Sequence, residues 1–283
     1  MIVYGDDFMD IMDSKELSLQ IEEEIKQFSK NCIIRPSVAV IDVGSNPINQ
    51  KFVKAMEDAC DRVGIYFRYH NFEDNTPELT IINKIKELNN DDYVNGIMIN
   101  LPLPEKYNEK RLLNSIINIK DIDGLTDINI GRLISGRKSI MPCCVQGIME
   151  LLNHYNVKLE GSEVVIVGNS KLVGRPITNI LLKEGATVTV CNSKTKDLKK
   201  HTIDADIIIS CSGVKHIITS DMVKEDSVVI DAGYMVEKGK IYEDVDFDKV
   251  SKKTSLITPV STVSNMTISM FLKNTIFCYN NKK

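Results

Sequence analysis

Residues 163–176 read EVVIVGNSKLVGRP, and few folds accept that order of residue types. Val164 to Val167 is a short β-branched run, the pattern of a buried strand. Gly168 ends it, Gly174 follows, and Pro176 opens a helical pattern through Ile177, Ile180 and Leu181, with Leu182 beside it. Strand, glycine turn and helix make the first step of a βαβ unit. In such a unit the glycines let the backbone pass close to a diphosphate, and the helix N-terminus offers it free N–H groups. The spacing is Gly-x5-Gly, not GxGxxG, so a tight turn in any α/β domain is the competing explanation at this point.

The 283 residues leave room for one large or two ordinary domains. Apolar residues at 43% and charged residues at 26% are ordinary globular composition. A formal charge of -4 supplies no basic field for nucleic acid. No apolar run approaches the roughly 20 residues of a membrane span. The opening MIVYGDDFMDIMD is acidic and has no basic n-region, so it does not read as a secretory signal. The seven cysteines are odd in number and scattered, and Cys143-Cys144 is adjacent rather than CxxC. Neither a metal site nor a disulfide framework is expected, and a reducing cytoplasmic setting is.

Ser14 is placed to cap a helix over Leu17, Ile21, Ile25 and Phe28. Val38 to Ile41 follows as a strand, Gly44 to Pro47 as a turn, and about Ile48 to Arg62 as a helix ended by Gly64. Phe52, Met56 and Ala59 share one face of that helix. Ile65 to Tyr69 is a second strand. A helix with Leu79, Ile82, Ile85 and Leu88 as its apolar stripe begins near Pro77, and Val94 to Ile99 is a third strand. Pro142 introduces a helix through Ile148, Leu151 and Leu152. Further strands are expected at Ala186–Cys191, Ile207–Ile209, Val228–Asp231 and Leu256–Val260. Ser261 to Asn265 is expected to turn the chain into a last helix containing Met266, Ile268, Met270, Phe271 and Leu272. The fold class is therefore α/β with two α/β domains, the second Rossmann-like. The expected boundaries are 1–140 for the first domain, completed by the C-terminal helix 266–283, and 141–265 for the nucleotide-binding domain.

Three segments sit where open α/β sheets place ligands, at strand C-terminal ends. Asn100-Leu101-Pro102-Leu103-Pro104 is an extended loop set by its prolines. Ser210-Cys211-Ser212-Gly213 suits a loop under a dinucleotide. The turn Asn192-Ser193-Lys194-Thr195 carries no acid before Asp197. Strict NAD use would place an acid there for the ribose hydroxyls. Its absence leaves room for a 2′-phosphate beside Ser193 and a lysine, although Ser193 or Thr195 would equally cap a helix. Lys120-Asp121-Ile122-Asp123-Gly124 puts two acids beside a glycine, which a surface turn would also explain.

In their shared order these segments resemble the methylenetetrahydrofolate dehydrogenase/cyclohydrolase family. The resemblance runs through Val43-Gly44 with Pro47, Leu101 to Pro104, Lys120 to Gly124, Gly131-Arg132-Leu133 and Pro142-Cys143. It continues in Val167-Gly168-x-Ser170-x-x-Val173-Gly174-x-Pro176, Ser193-Lys194-Thr195, Ile257 to Val260, Met266-Thr267 and Asn274-Thr275. It implies a cleft between two α/β domains, a tetrahydrofolate substrate against the first and NADP, with NAD also admitted, against the second. It implies one-carbon chemistry, hydride removal from 5,10-methylenetetrahydrofolate and then hydrolysis of the methenyl product to 10-formyltetrahydrofolate. A cytoplasmic homodimer joined through the nucleotide domains is implied as well. Asp123 matches the pterin-recognising acid, with Phe52, Asn100, Leu101 and Pro102 beside the substrate. Gly168, Asn169, Ser170, Val173, Gly174, Ser193, Lys194, Cys211, Ser212 and Gly213 match the cofactor side.

The departures are specific. The family's helix carries a Tyr and, four residues on, a catalytic Lys. Here those positions are Phe52 and Met56. Phe52 lacks a hydroxyl, and Met56 neither holds nor transfers a proton. Lys54 lies two residues from Met56 and faces elsewhere on the helix. Asn100 stands where the family has Gln, one methylene shorter. Asn169 replaces an Arg that commonly holds the 2′-phosphate, leaving Ser170, Ser193 and Lys194. Pro142-Cys143-Cys144-Val145-Gln146-Gly147 lacks the family's second proline, and Val260 to Asn265 lacks its glycines. The expectation is a dehydrogenase with cyclohydrolase activity weak or absent. The alternatives are a retained bifunctional enzyme and a catalytically silent folate- or nucleotide-binding paralogue.

Overall fold

A computed structural model describes residues 10–237 and 240–281. Residues 1–9 of the expected first domain, and 282–283 of the expected last helix, lie outside the described residues. The chain runs β1 (Asp10–Ile11), α1 (Lys15–Lys30), β2 (Ser37–Val43), α2 (Pro47–Val63), β3 (Tyr66–Phe72), α3 (Glu78–Asn90) and β4 (Gly96–Ile99). Helices α4 (Glu109–Leu113), α5 (Asp127–Ile134) and α6 (Cys143–His154) follow. Next come β5 (Glu163–Val167), α7 (Gly174–Lys183), β6 (Thr187–Cys191), α8 (Leu198–Thr202), β7 (Ile207–Ser210) and β8 (Val228–Asp231). The chain ends with β9 (Tyr234–Glu237), β10 (Lys240–Glu243), α9 (Phe247–Val250), β11 (Leu256–Thr258) and α10 (Val260–Asn280).

Two compact units result. Among the described residues, one comprises Glu16–Cys143 and residues 267–281; the other comprises Cys144–Met266 and residues 10–15. The N-terminal segment thus departs from the expected 1–140 domain. The cause is backbone pairing: β1 lies parallel to β11, with Ile11 opposite Ile257, and Met12 N–H donates to the Ile257 carbonyl at 2.9 Å. The C-terminal boundary falls inside α10. The turn expected at 261–265 is instead the opening of that helix. Ser261-Thr262-Val263-Ser264-Asn265 contains no Gly or Pro to break it, and an intrinsically mediocre helix former continues a helix that packing supports.

The first unit holds a parallel sheet in the order β3-β2-β4, with Ile41 opposite both His70 and Ile99. β2 is central, and all of its residues are buried, as the apolar run Val38–Ile41 predicts for its middle, with Ser37 and Asp42 buried as well. Asn46 Oδ1 accepts from Ile48 N–H at the start of α2. Gly64 ends α2 at φ 80°, its N–H donating to Cys60 O. The buried face of α2 is Val53, Met56, Ala59, Cys60 and Val63, with Phe52 half-buried at its edge. On α3 the buried residues are Ile81, Ile82, Ile85 and Leu88, while Leu79 is 59% exposed. At about 100° per residue Leu79 lies well off the arc those four share, so Ile82, Ile85 and Leu88 are buried as expected and Ile81 takes the place expected for Leu79.

Lys120 accounts for one end of the Lys120–Gly124 pattern. It is buried, and its ammonium donates to the carbonyls of Leu88, Asn89 and Asp91 at 3.0, 2.8 and 2.8 Å. These carbonyls lie at the C-terminal end of α3; Leu88 O also accepts from Asp91 N–H at 3.3 Å and Asp91 O from Val94 N–H at 3.1 Å, and the ammonium adds a charged donor to all three. Residues 120–122 also run along the edge of β4, where Ile97 N–H donates to Lys120 O at 2.6 Å.

The second unit is built on a parallel sheet in the order β1-β11-β8-β7-β5-β6. β5 has β6 on one side and β7 on the other, so successive crossovers leave β5 in opposite directions. That reversal is a topological switch point, the place where such sheets bind ligands at their C-terminal edge. Val165, Val167, Ile208, Val229 and Ile257 belong to one buried core. The antiparallel hairpin β9–β10 is not announced by the sequence pattern. Among the described residues, no helix is long and apolar enough to cross a membrane.

The Lys120→Met variant is expected to lose about 1.5–3 kcal/mol of stability, because the α3 carbonyls lose a charged donor while the apolar stem is kept. Urea denaturation of purified protein measures this; an unchanged midpoint would contradict the capping role.

Candidate functional site

In the first unit, the chemistry-bearing residues collect at the C-terminal edge of β2 and β4. Asn100 N–H continues the β2–β4 ladder, donating to Ile41 O at 2.8 Å. Its side-chain nitrogen donates to Asp42 Oδ1 at 3.1 Å and to Asn49 O at 3.4 Å. Tyr69 hydroxyl donates to the other Asp42 oxygen at 3.0 Å. Asn49 Nδ2 donates to Pro102 O at 3.3 Å, tying the start of α2 to the loop, in which the Leu101–Pro102 bond is cis. Asn100 is thus a buried member of a network, and Asn49, which the sequence pattern does not single out, anchors it. An open pocket beside this loop is lined by Ser45, Asn46, Asp74, Pro102, Leu103 and Pro104.

The two acids of the Lys120–Gly124 segment separate cleanly. Asp121 is buried and accepts from Thr126 N–H and Asn129 Nδ2, both at 2.9 Å, which fixes the start of α5. Asp123 is half-buried by surface and accepts one backbone donor, Cys143 N–H, at 3.1 Å. Its carboxyl lies deep enough that burial pushes it up to about 7. Asn274 on α10 closes the site from behind, its Nδ2 donating to Ile122 O at 2.9 Å and Met141 O at 3.1 Å. Gly124 has φ 63°, and a β-carbon there would lie 2.5 Å from Ile140 O. Asn274 enters the sequence resemblance without a role; its bonding gives it one.

Met56 is completely buried. Lys54 is turned to solvent and paired with Glu57 at 2.9 Å and Asp58 at 3.0 Å. Those carboxylates hold its ammonium above the ordinary lysine range. Among the described residues of α2, no proton-transferring side chain takes the place that Met56 fills.

In the second unit, Gly168 and Gly174 are both required by close approach. Gly168 sits at φ 125°, and a β-carbon there would lie 2.5 Å from Cys211 O. A β-carbon at Gly174 would overlap the Gly168 carbonyl oxygen. Ser170 Oγ accepts from Val173 N–H at 3.1 Å and Gly174 N–H at 3.2 Å, so it caps the entry to α7. The backbone N–H groups of 169–172, by contrast, meet no acceptor among the described residues. A run of free N–H groups on a glycine turn ahead of a helix is an anion-binding arrangement, and it fits a dinucleotide diphosphate. Asn169 Oδ1 accepts from Arg175 Nε at 3.1 Å. Ser193 and Lys194 are exposed on the neighbouring turn. Thr195 Oγ1 accepts from Asn192 N–H, and Asp197 rather than Ser193 caps α8.

The loop after β7 is organised by a residue far along the chain. Asp244 is fully buried, and its Oδ2 accepts from Ser210 hydroxyl at 2.7 Å, Ser212 N–H at 2.7 Å, Ser212 hydroxyl at 2.9 Å and Gly213 N–H at 3.3 Å. Its Oδ1 accepts from Val214 N–H at 2.9 Å. Asp231, at the end of the neighbouring strand β8, acts similarly. It accepts from Gly233 N–H at 3.1 Å and Val245 N–H at 2.8 Å, and burial pushes its carboxyl up to about 8. Cys211 is buried, and burial pushes its thiol up to about 12. Gly213 takes φ 68°. Nothing local in the sequence marks Asp244; only the run of donors at 210–214 requires an acceptor.

Comparison with known proteins matches both units. Residues 12–123 match the tetrahydrofolate dehydrogenase/cyclohydrolase catalytic domain, and residues 142–283 match the tetrahydrofolate dehydrogenase/cyclohydrolase NAD(P)-binding domain. The chain is 46% identical over 274 residues to the bifunctional protein FolD of Campylobacter jejuni strain 81-176, covering 95% of this chain and 97% of that protein. It is 40% identical over 273 residues to the bifunctional protein FolD of Methanosarcina barkeri, covering 95% of each. Among solved structures, the Campylobacter jejuni FolD superposes with a TM-score of 0.92 at 45% identity, over 97% of this chain and 99% of that one. The Trypanosoma brucei FolD, complexed with NADP and an inhibitor, superposes with a TM-score of 0.91 at 28% identity, over 96% and 97%.

The Asp244→Asn variant keeps the shape but turns an amide donor toward N–H and O–H donors. It is expected to cost about 2–3 kcal/mol in urea denaturation, since donors at 210–214 lose an acceptor. Unchanged stability would show that the network contributes nothing net.

Proposed function

The chain belongs to the tetrahydrofolate dehydrogenase/cyclohydrolase family, and from that premise we propose that it oxidises 5,10-methylenetetrahydrofolate to the 5,10-methenyl form with NADP or NAD, and hydrolyses that product only weakly. The observation that carries this reading is Met56, fully buried at the position where the resemblance expects a lysine. The two reactions make different demands. Oxidation removes a hydride with its electron pair, and the folate nitrogens stabilise the cation left behind. Its main requirement is alignment. Hydrolysis adds water to that cation and releases a proton, so it needs an acceptor.

On the substrate side, Asp123 is proposed to bind the pterin, since a carboxylate accepts two hydrogen bonds from an aminopyrimidine edge. Phe52 offers a ring for the substrate to lie against, and Asn100 shapes the loop through Leu101 and Pro102. Asn100 acts through Asp42 and Asn49 rather than as a proton donor. On the cofactor side, the N–H groups of 169–172 would hold the diphosphate, and Val173, Gly174, Cys211, Ser212 and Gly213 would shape the surface under the dinucleotide. When bound, the nicotinamide supplies the hydride acceptor.

The setting we propose is a cytoplasmic homodimer. The cysteines among the described residues are all free thiols, as a reducing compartment permits, and β6 leaves one backbone edge of its sheet unpaired. Sedimentation at assay concentration decides between monomer and dimer.

Purified protein assayed with 5,10-methylenetetrahydrofolate is expected to reduce NADP while hydrolysing methenyl folate near the uncatalysed rate. Met56→Lys is expected to raise hydrolysis, provided thermal melting shows that the variant still folds with a cation in that buried place. Rapid hydrolysis by the wild type would overturn the weak-hydrolase reading. Binding of folate without hydride transfer to either dinucleotide would favour a silent paralogue.

The Asp123 carboxyl yields a pH prediction. It must be ionised to accept both pterin donors, and burial raises it to about 7. The folate kcat/KM is therefore expected to rise with pH through about 7, and Asp123→Asn is expected to lower and flatten that profile. Folding stability moves the opposite way: with the folded pKa above the unfolded 3.8, the contribution present in acid is lost as pH rises toward 7. A folate profile flat across this range in the wild type would contradict the role.

A further inference from the structure

A cation stands where the fold alone would not favour one. Arg175 occupies the first turn of α7, which carries no acidic residue. A positive charge at a helix N-terminus opposes the helix dipole, so it gains nothing from its own helix, and an anion beside it would offset that. Arg175 is exposed, and among the described residues no carboxylate pairs with it. One side-chain hydrogen bond holds it in a defined direction: Nε donates to Asn169 Oδ1 at 3.1 Å. That bond uses Nε and leaves the two terminal nitrogens of the guanidinium for a ligand.

The direction matters because of what lies next to Asn169. β5 and β6 are parallel neighbours with Val167 opposite Cys191, and Gly168 N–H donates to Cys191 O at 2.9 Å. Asn169 and the turn 192–195 therefore leave the sheet side by side. That turn is closed on itself, Asn192 Oδ1 accepting from Lys194 N–H at 2.8 Å and Thr195 N–H donating to Asn192 O at 2.9 Å. Ser193 and Lys194 project outward, and neither meets a carboxylate among the described residues. In dinucleotide-binding folds the end of the second strand reads the ribose 2′ position, an acid there accepting the free hydroxyls and a cation accommodating a phosphate.

We propose that Arg175, oriented by Asn169 next to the turn that carries Ser193 and Lys194, binds the 2′-phosphate of NADP and so sets the preference for NADP over NAD. This rests on the NAD(P)-dependent reading above. It also gives Asn169 a purpose: in place of an arginine it supplies an acceptor that holds a different arginine. A guanidinium with two free terminal nitrogens binds a phosphate bidentately, which a lysine does not reproduce.

The experiment is calorimetric titration of the full chain with NADP, NAD, adenosine 2′,5′-bisphosphate and 5′-AMP, for the wild type, Arg175→Gln and Arg175→Lys. Arg175 is exposed, so the variants are expected to melt as the wild type does. Arg175→Gln is expected to weaken NADP and adenosine 2′,5′-bisphosphate binding about tenfold to hundredfold, leaving NAD and 5′-AMP unchanged, with Arg175→Lys between. Equal weakening of NADP and NAD would assign Arg175 to the diphosphate and overturn the proposal. No weakening of either would overturn it too, as would a wild type that binds only NAD. A wild type that binds adenosine 2′,5′-bisphosphate through Arg175 but transfers no hydride would instead sink the dehydrogenase reading and leave this one standing.

Discussion

The second unit depends on an approach that leaves no room for one carbon atom. At Gly168 the end of β5 passes so close to the end of β7 that a β-carbon would lie 2.5 Å from Cys211 O, and the φ of 125° already excludes most side chains. At Gly174 the start of α7 comes down onto Gly168 itself. These two contacts set where α7 begins. Among the described residues they leave the intervening N–H groups of 169–172 without acceptors, while Ser170 satisfies the next two. The glycines are therefore a packing requirement first, and the anion-binding surface is what that packing leaves over.

Both sheets use buried carboxylates to hold the loops at their C-terminal edges, and the count of donors separates scaffold from site. Asp244 takes five donors, and Asp121, Asp42 and Asp231 take two each. Ionised carboxylates have about four acceptor sites, so Asp244 is spent. Asp123 takes one, from Cys143 N–H, and keeps some of its surface open. It alone among these acids combines spare acceptor capacity with access. Burial raises its pKa, as desolvation of a carboxyl with a single backbone donor must.

Much of this is legible in the chain. β2, β5, β7 and β8 are each built round a run of three or four apolar residues and fold as fully or almost fully buried parallel strands. The Asn46-Pro47 start and Gly64 end of α2 follow from side-chain capping and a left-handed C-cap. The failures are those of long-range cause. β1 is two residues long, and only pairing with β11 makes it a strand. A turn at 261–265 follows from a run of small and polar residues after a short strand, but those residues are compatible with helix, and the helix simply begins earlier. Asp244, Asn274 and Asn49 act through partners 30 or more residues away in sequence, and no periodicity encodes such a bond. Arg175 gives no signal of its own, because its meaning depends on Asn169, a residue that in the sequence reads only as a loss.

The same contrast bears on the reaction. Helix α2 presents Val53, Met56, Ala59, Cys60 and Val63 to its own core and sends Lys54 to Glu57 and Asp58 on the opposite side. Residues two apart differ by about 200° around a helix, so no side-chain rotation brings the Lys54 ammonium to where the Met56 sulfur lies. A helix arranged this way still positions the Asn49–Asn100 loop, since Asn49 belongs to its first turns and is untouched by the exchange at 56. The placing of the loop and the side chain at 56 thus belong to different turns of one helix, and under the proposed reading a step that asks only for alignment does not draw on position 56, whereas a step that removes a proton from water would find no acceptor there.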